Sequence, residues 1–368
     1  MKREPEPAER PTLRVDLAAV TRNWRSARQA FTGKRLGAVL KYDAYGLGMA
    51  QVAPALLAAG CEDFWLATLE EASALRPLLQ APARVFVLNG LGCRDPGAFA
   101  ALSLIPVLTH LGEVESARAL VRRSGKPFTV AIHLDTGLTR VGLAESDVQR
   151  LAANPSELHG LQVAAWVTQL GRFDDLACES SREQRARFDR WTAALPAGER
   201  SLATSTGVFD EPGWHFDHAR LGSALFGVQA GRIPYAVEPA VSLSAPVLRV
   251  ADVPAGVEVG YGSAYRTPRP ARLATLAIGY GDGFPSGPAP SAHVCFGGHR
   301  APIVGSVSMS LMTVDVTALG DGAVRPGDCA EIYGASQSVE SLAKDLGLTP
   351  NALLVPTARL AHRVWGHA

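Results

Sequence analysis

LGAVLKYDAYGLGMAQVAPALLAAG, residues 36–60, reads as a strand, a loop and a helix in succession. LGAVL (36–40) is a short apolar run of the length a buried strand takes, and MAQVAPALLAAG (49–60) repeats apolar residues at three- and four-residue steps. Between them KYDAYGLG (41–48) holds one cation, two tyrosines and two glycines. The same alternation recurs along the chain. Further strand candidates are FWLAT (64–68), RVFVLN (84–89), LIPVL (104–108), FTVAIHL (128–134), LQVAAWV (161–167), SLATS (201–205) and ALFGVQ (224–229). Helical patterns such as TLEEASALRPLL, EVESARALVRR and SREQRARFDRWTAAL lie between them, with acids favoured in the first turn. Eight strands with return helices over roughly 220 residues predict a closed (β/α)8 TIM-like barrel. An open doubly wound sheet fits less well, because no GxGxxG turn follows any of these strands.

After about Pro239 the helical period fades and Val, Thr, Gly and Pro dominate, in runs such as VSLSAPVLRV, ARLATLAIGY, APIVGSVSMSLMTVDVT and CAEIYG. The expected fold is α/β: a barrel domain over residues 12–238, then a mainly β domain over 239–368, with residues 1–11 packing on the second. A short helix, VESLAKDLG, is expected before the tail. The chain has 368 residues, 47% of them apolar and 19% charged, which is enough hydrophobic surface for two sizeable cores.

Charge excludes other classes. Lys plus Arg total 36 against 35 for Asp plus Glu, so no global field exists to hold a polyanion, and nucleic acid is not an expected partner. The five cysteines are scattered without a CxxC pair, which argues against a disulfide framework or a zinc knuckle. The nine histidines show no HxxxH or HxH spacing, so no metal site is expected. The N-terminus is charged and proline-rich, and no stretch approaches the roughly 18 apolar residues of a membrane span. A cytoplasmic protein without a membrane partner is expected.

In a barrel the reactive side chains sit where strands end and the mouth loops begin. Lys41 stands at such an end. Desolvated by barrel walls, its amine loses part of its preference for the charged form and can condense with an aldehyde. Taken alone, a strand-end lysine reaching out to water is the better reading.

Six motifs, in order, resemble those of the alanine racemase family, whose members bind pyridoxal 5'-phosphate (PLP) in an N-terminal barrel followed by a β domain. KYDAYGLG is similar to the family's K-A-[ND]-A-Y-G-H-G, DTGLTRVG (135–142) to D-T-G-M-x-R-[LV]-G, and HFDHARLGSALFG (215–227) to R-[FP]-G-[IL]-x-L-Y-G. VGYGSAY (259–265) and IGYGDGFP (278–285) resemble two tyrosine motifs of the β domain, and GSVSMSLMTVDV (305–316) resembles G-[RK]-[VI]-[SC]-M-D-Q-x-x-[VI]-D. The resemblance covers nearly the whole chain and implies an amino acid racemase, with L- and D-alanine as the default substrate pair, acting as a homodimer with composite sites.

It also implies roles. Lys41 would carry PLP and act as the base on one face of the substrate. Tyr261, lent by the second subunit, would act on the other face, since a proton removed and returned from one side regenerates the starting isomer. Arg220 would face the pyridine nitrogen; a guanidinium keeps its proton at neutral pH, which disfavours transamination. Tyr45, Ser205, Gly222 and Ser223 match the phosphate contacts, with Thr204 where the family has Asn. Arg140 and Met309 match substrate-carboxylate contacts, and Tyr280 lies near the entrance. A tyrosine near the C-terminus that bounds the pocket and touches phosphate aligns with His362.

Read singly, these residues leave simpler accounts open: Arg220 in a surface ion pair with Asp217, Tyr261 as an ordinary β-domain tyrosine, Gly222 serving a turn. The chain also departs from the family. His133 replaces a lysine that is often carbamylated and braces the arginine here numbered 140. Gln169 replaces a histidine that links the pyridine arginine to the catalytic tyrosine, and Ser310 replaces an acid at the entrance. These changes keep two alternatives in view: a racemase of other or broader amino acids, and a non-catalytic PLP-binding relative. ACES (177–180) superficially resembles an element of related PLP decarboxylases but lies in the barrel half.

Overall fold

The computed structural model describes residues 9–79, 82–172, 174–229 and 237–366. After strand β1 (Thr12–Asp16) come eight parallel strands: β2 (Arg35–Val39), β3 (Asp63–Leu66), β4 (Arg84–Val87), β5 (Leu104–Leu108), β6 (Phe128–His133), β7 (Leu161–Val167), β8 (Glu199–Thr204) and β9 (His218–Leu221). Each pairs with the next, and β9 pairs back onto β2, closing the barrel. Their near-continuous apolar runs, DFWL and LIPVL among them, suit strands covered on both faces. Outer helices bury one stripe each. Leu17–Ala30 packs Leu17, Val20, Trp24 and Ala27 inward, and the side chain of Asp16 caps its start by accepting from the Ala19 N–H.

Seven of the expected strands lie where the apolar runs stand. The eighth does not. ALFGVQ begins with a 3-10 turn (Ser223–Phe226), and the closing strand is His218–Leu221, whose His and Arg point into the barrel.

Strand β1, placed by its position within the barrel half, joins the second sheet instead. It lies between β10 (Val241–Val253), antiparallel, and the C-terminal strand His362–Gly366, parallel. β10 is long enough to serve two neighbourhoods. Its first half pairs with β1 and Cys329–Tyr333, and its second half with Ala271–Leu276. The expected short helix is Val339–Asp345; a second one, Pro350–Leu360, follows it with Pro at its first position. Residues 1–8 lie outside the described residues. Among the described residues no group of His, Cys, Asp or Glu is placed to hold a metal ion, and no helix is long and apolar enough to cross a membrane.

The lower interior of the barrel is ionic. Arg84 donates to both oxygens of the buried Asp63 at 2.7 Å and to Glu199 at 3.1 Å, and Arg35 reaches Glu199 at 3.1 Å. His218 sits among them, fully buried, 3.4 Å from Asp63 and 3.6 Å from Glu199. Both carboxylates are already neutralised by arginines, and burial holds the imidazole down at about 3, with Asp63 pulling the other way. Native His218 is therefore neutral, whereas the unfolded chain takes up a proton near 6.5. The stabilisation is full above pH 6.5 and is lost as pH falls from there toward 3. Urea unfolding followed between pH 7 and 4 is expected to show a shallower loss of stability in His218→Gln than in the wild type; equal slopes would refute a neutral, buried His218.

Candidate active site

Lys41 leaves the end of β2 and begins a backbone turn of unusual hand. Tyr42, Asp43, Ala44 and Tyr45 all have φ between 54° and 58°, one turn of left-handed helix in residues other than glycine. Left-handed helical geometry costs roughly 1–2 kcal/mol per residue, so the turn needs external bracing. Its braces come from three sides. Glu71 accepts from the Tyr42 and Ala67 N–H groups at 2.7 and 2.8 Å, and Asp43 accepts from Met49 N–H at 2.7 Å. From the C-terminal strand, Arg363 pairs with Asp43 and donates to Gly46 O at 3.1 Å, while Trp365 Nε1 donates to Leu47 O at 2.7 Å.

The turn aims Lys41 and Tyr45 into a cavity of about 690 Å3 at the barrel mouth, together with Arg140, Arg220, Ser205, Gly222 and Ser223. These are seven of the eleven residues expected at the site. Burial, then the charge of Arg140, lowers the pKa of the half-buried Lys41 amine, with Glu71 opposing. Tyr45 is enclosed, and burial pushes its phenol up to about 12, so it stays protonated as a donor. A Cβ on Gly222 would lie 2.5 Å from the Tyr45 hydroxyl; glycine keeps that oxygen accessible. Ser205 Oγ accepts from the N–H groups of Gly222 and Ala224 at 3.1 and 3.4 Å, drawing the ends of β8 and β9 together.

Arg220 is buried and has no carboxylate partner among the described residues; the surface pair with Asp217 does not form, since Asp217 pairs with Lys34 and Arg200. Its guanidinium donates to Ser201 O at 2.9 Å, Ser201 Oγ at 2.6 Å, Thr168 O at 2.6 Å and Gln169 Oε1 at 3.3 Å. Burial, then Arg140, pulls it down to about 9, still protonated at neutral pH. His133 is also buried. Burial, then Arg220 and Arg140, brings it to about 3, so it is a neutral imidazole, and its Nδ1 has no partner. It braces nothing on Arg140. The Arg140 loop is instead tied at its base, where Asp135 Oδ1 accepts from the Gly137 and Thr139 N–H groups at 3.1 and 2.9 Å.

Four expected residues lie outside the lining of this cavity. Tyr261, Met309 and Tyr280 are on the β domain, 78%, 63% and 44% exposed. His362 is in the C-terminal edge strand, beside Arg10, and the alignment that put it at the pocket fails because the helix Pro350–Leu360 intervenes. Among the described residues, Asn351 of the β domain does line the cavity, and its buried Oδ1 has no partner there. Its one sequence signal is the Thr349-Pro350 helix start.

Among the described residues the lining holds three cations, Lys41, Arg140 and Arg220, and no carboxylate. Such a donor set suits an anionic ligand. An amine of lowered pKa among them suits attachment to an aldehyde.

Residues 15–230 match the family model "Alanine racemase, N-terminal domain" and residues 240–365 match "Alanine racemase, C-terminal domain". The chain is 36% identical over 367 residues to the alanine racemase of Brucella canis, covering 96% of this chain and 93% of that one. It is 39% identical over 337 residues to the catabolic alanine racemase of Rhizobium johnstonii, covering 91% and 89%. Among solved structures, alanine racemase from Bartonella henselae with covalently bound pyridoxal phosphate superposes with a TM-score of 0.92 at 32% identity, covering 98% of this chain and 100% of that one.

The shift at Lys41 sets a direct test. Because its pKa is lowered, the neutral amine appears at lower pH than in free lysine; reductive methylation of Lys41 in the ligand-free protein, read by mass spectrometry, should reach half-maximum below pH 10.5. Arg140→Ala removes a neighbouring positive charge and should move that midpoint upward.

Proposed function

The chain belongs to the alanine racemase family, and from that premise we propose that it interconverts L- and D-alanine with PLP, in a cytoplasmic homodimer that supplies D-alanine. The observation that carries the reading is the cavity itself: an amine of lowered pKa facing two arginines, with no carboxylate in the lining. Lys41 Nζ would hold PLP covalently. Tyr45, Ser205 and the backbone at Gly222 and Ser223 would receive its phosphate, Asn351 would offer a further polar contact, and Arg220 would meet its ring. Bound there, PLP supplies an electron sink that makes the α-proton of an amino acid removable.

The chain's own groups do the rest. Arg140 orients the substrate carboxylate. Lys41 Nζ would take or return the α-proton on one face, and the lowered pKa leaves more of the amine in the accepting form. A single base cannot invert the centre, so a second group must act on the opposite face. Tyr261 from a second copy of the chain is assigned that role, with Met309 and Tyr280 beside it at the entrance. Exposed aromatic and thioether side chains on the β domain support this, since large apolar groups open to water suit an interface. Arg220 keeps its proton throughout, which restrains amino transfer to the cofactor.

Subunit complementation tests both halves of the reading. Lys41→Ala and Tyr261→Phe homodimers should each lose about 100- to 10,000-fold in racemisation of L-alanine. Co-expressed with different tags, they should recover roughly a quarter of wild-type activity, because each hybrid holds one intact composite site. Absence of recovery sinks the shared site; a wild-type holoenzyme that leaves L-alanine unchanged sinks the racemase.

A further inference from the structure

Gln184 lies on the outer helix Glu179–Ala194, is 5% exposed, and does not line the cavity, yet all of its polar atoms are used beneath it. Its Oε1 accepts from the Gly171 N–H at 2.9 Å, and its Nε2 donates to Gln169 O at 3.1 Å and to Thr136 Oγ1 at 3.3 Å. Bonding the carbonyl of residue 169 and the N–H of residue 171 is what a neighbouring strand does, so the side-chain amide continues the edge of β7 where the strand has ended. The third bond crosses to the loop after β6. There Thr136 is fully buried and shares a 2.8 Å hydrogen bond with Thr168, whose hydroxyl donates to Leu134 O at 2.9 Å. Arg187, one turn further along the same helix, donates to Thr136 O.

We propose that Gln184 is a positioning residue that clamps the two loops carrying the arginines' supports, fixing Arg220 through the backbone of residues 168–169 and Arg140 through the 135–142 loop. Arg220 donates to Thr168 O and Gln169 Oε1, on the segment that Gln184 grips. Arg140 follows Thr136 in a loop whose Gly137 has φ 138° and packs against Gln184, so that a Cβ there would meet the Gln184 side chain at 3.3 Å. No protein group hydrogen-bonds the Arg140 guanidinium among the described residues, and His133 offers it no brace; its position is set by its loop. The inference rests on the reading of Arg220 and Arg140 as cofactor- and substrate-facing groups.

Gln184→Met keeps the shape and removes every hydrogen bond, whereas Gln184→Glu keeps the acceptor for Gly171 and loses the amide donors. In the Gln184→Met holoenzyme, hydrogen–deuterium exchange should rise in both segments 168–172 and 136–142. The kcat for alanine should fall about 10- to 100-fold with a rise in KM, as expected for a displacement of about 1 Å in a reactive arrangement. The visible absorption band of bound PLP should change position, which a mere loss of stability would not produce. Gln184→Glu should fall between and carries the same test if the methionine variant does not fold. Faster exchange in one segment alone, or in both with kcat and KM unchanged, overturns the clamp. A wild-type protein that does not racemise alanine removes the functional reading, and exchange in the two segments then decides the clamp by itself.

Discussion

Closure of the barrel between β2 and β9 is the constraint from which the site follows. The register pairs Arg35 with His218, Leu36 with Ala219, Gly37 with Arg220 and Ala38 with Leu221. It brings the strand that leads into Lys41 against the strand that carries Arg220 and leads into Gly222, the two extremes of the barrel sequence. Side chains alternate along a strand, so a slip of one residue would turn Arg220 and His218 out of the barrel. Gly37 holds the register from the other side: a Cβ there would lie 2.6 Å from Trp65 Nε1, and Trp65 both stacks on Phe86 at 4.0 Å and lies beneath the Arg220 guanidinium at 5.7 Å.

That interior layer also explains which parts of the fold could be read in advance. Seven barrel strands are apolar runs because both of their faces are covered. The eighth is missed because HARL carries a buried His and a buried Arg, and an apolar-run criterion passes over a strand whose inward positions are polar. The neighbouring SALF is more apolar and forms only a turn. Lys41, Arg140 and Arg220 were legible because each stands in a recognisable motif. His362 lies off the cavity lining, beyond the helix Pro350–Leu360 that the sequence reading did not foresee, and Asn351 at the start of that helix lines the cavity. Gln184 did carry a signal, a polar residue on the stripe Ser181, Gln184, Phe188, Trp191 that the helix buries. Its partners, however, are backbone atoms of a loop, which no pattern in the sequence marks.

The electrostatics of the cavity are one-sided. Arg220 is held by four neutral acceptors, His133 beside it is uncharged, and Arg140 has no acid against it. A buried cation without a counter-ion is costly unless its hydrogen bonds are all made. The Ser201, Thr168 and Gln169 oxygens receive four bonds from the terminal nitrogens of Arg220 and leave the charge itself uncompensated, available to an anion that enters. His133 adds to this imbalance, since its neutral ring puts no negative charge beside Arg140.

The left-handed turn after Lys41 is tied down by the last strand of the chain, through Arg363 and Trp365, and that strand is itself held by β1 near the start. During synthesis the barrel strands leave the ribosome long before residues 362–366 exist. A nascent barrel can close while the turn after Lys41 has only the braces from Glu71 and Met49, and the remaining two arrive with residues 362–366. The paired strands Thr12–Asp16 and His362–Gly366 thus act as a completion seal, and a product cut short before Arg363 would carry Lys41 on a turn lacking two of its braces.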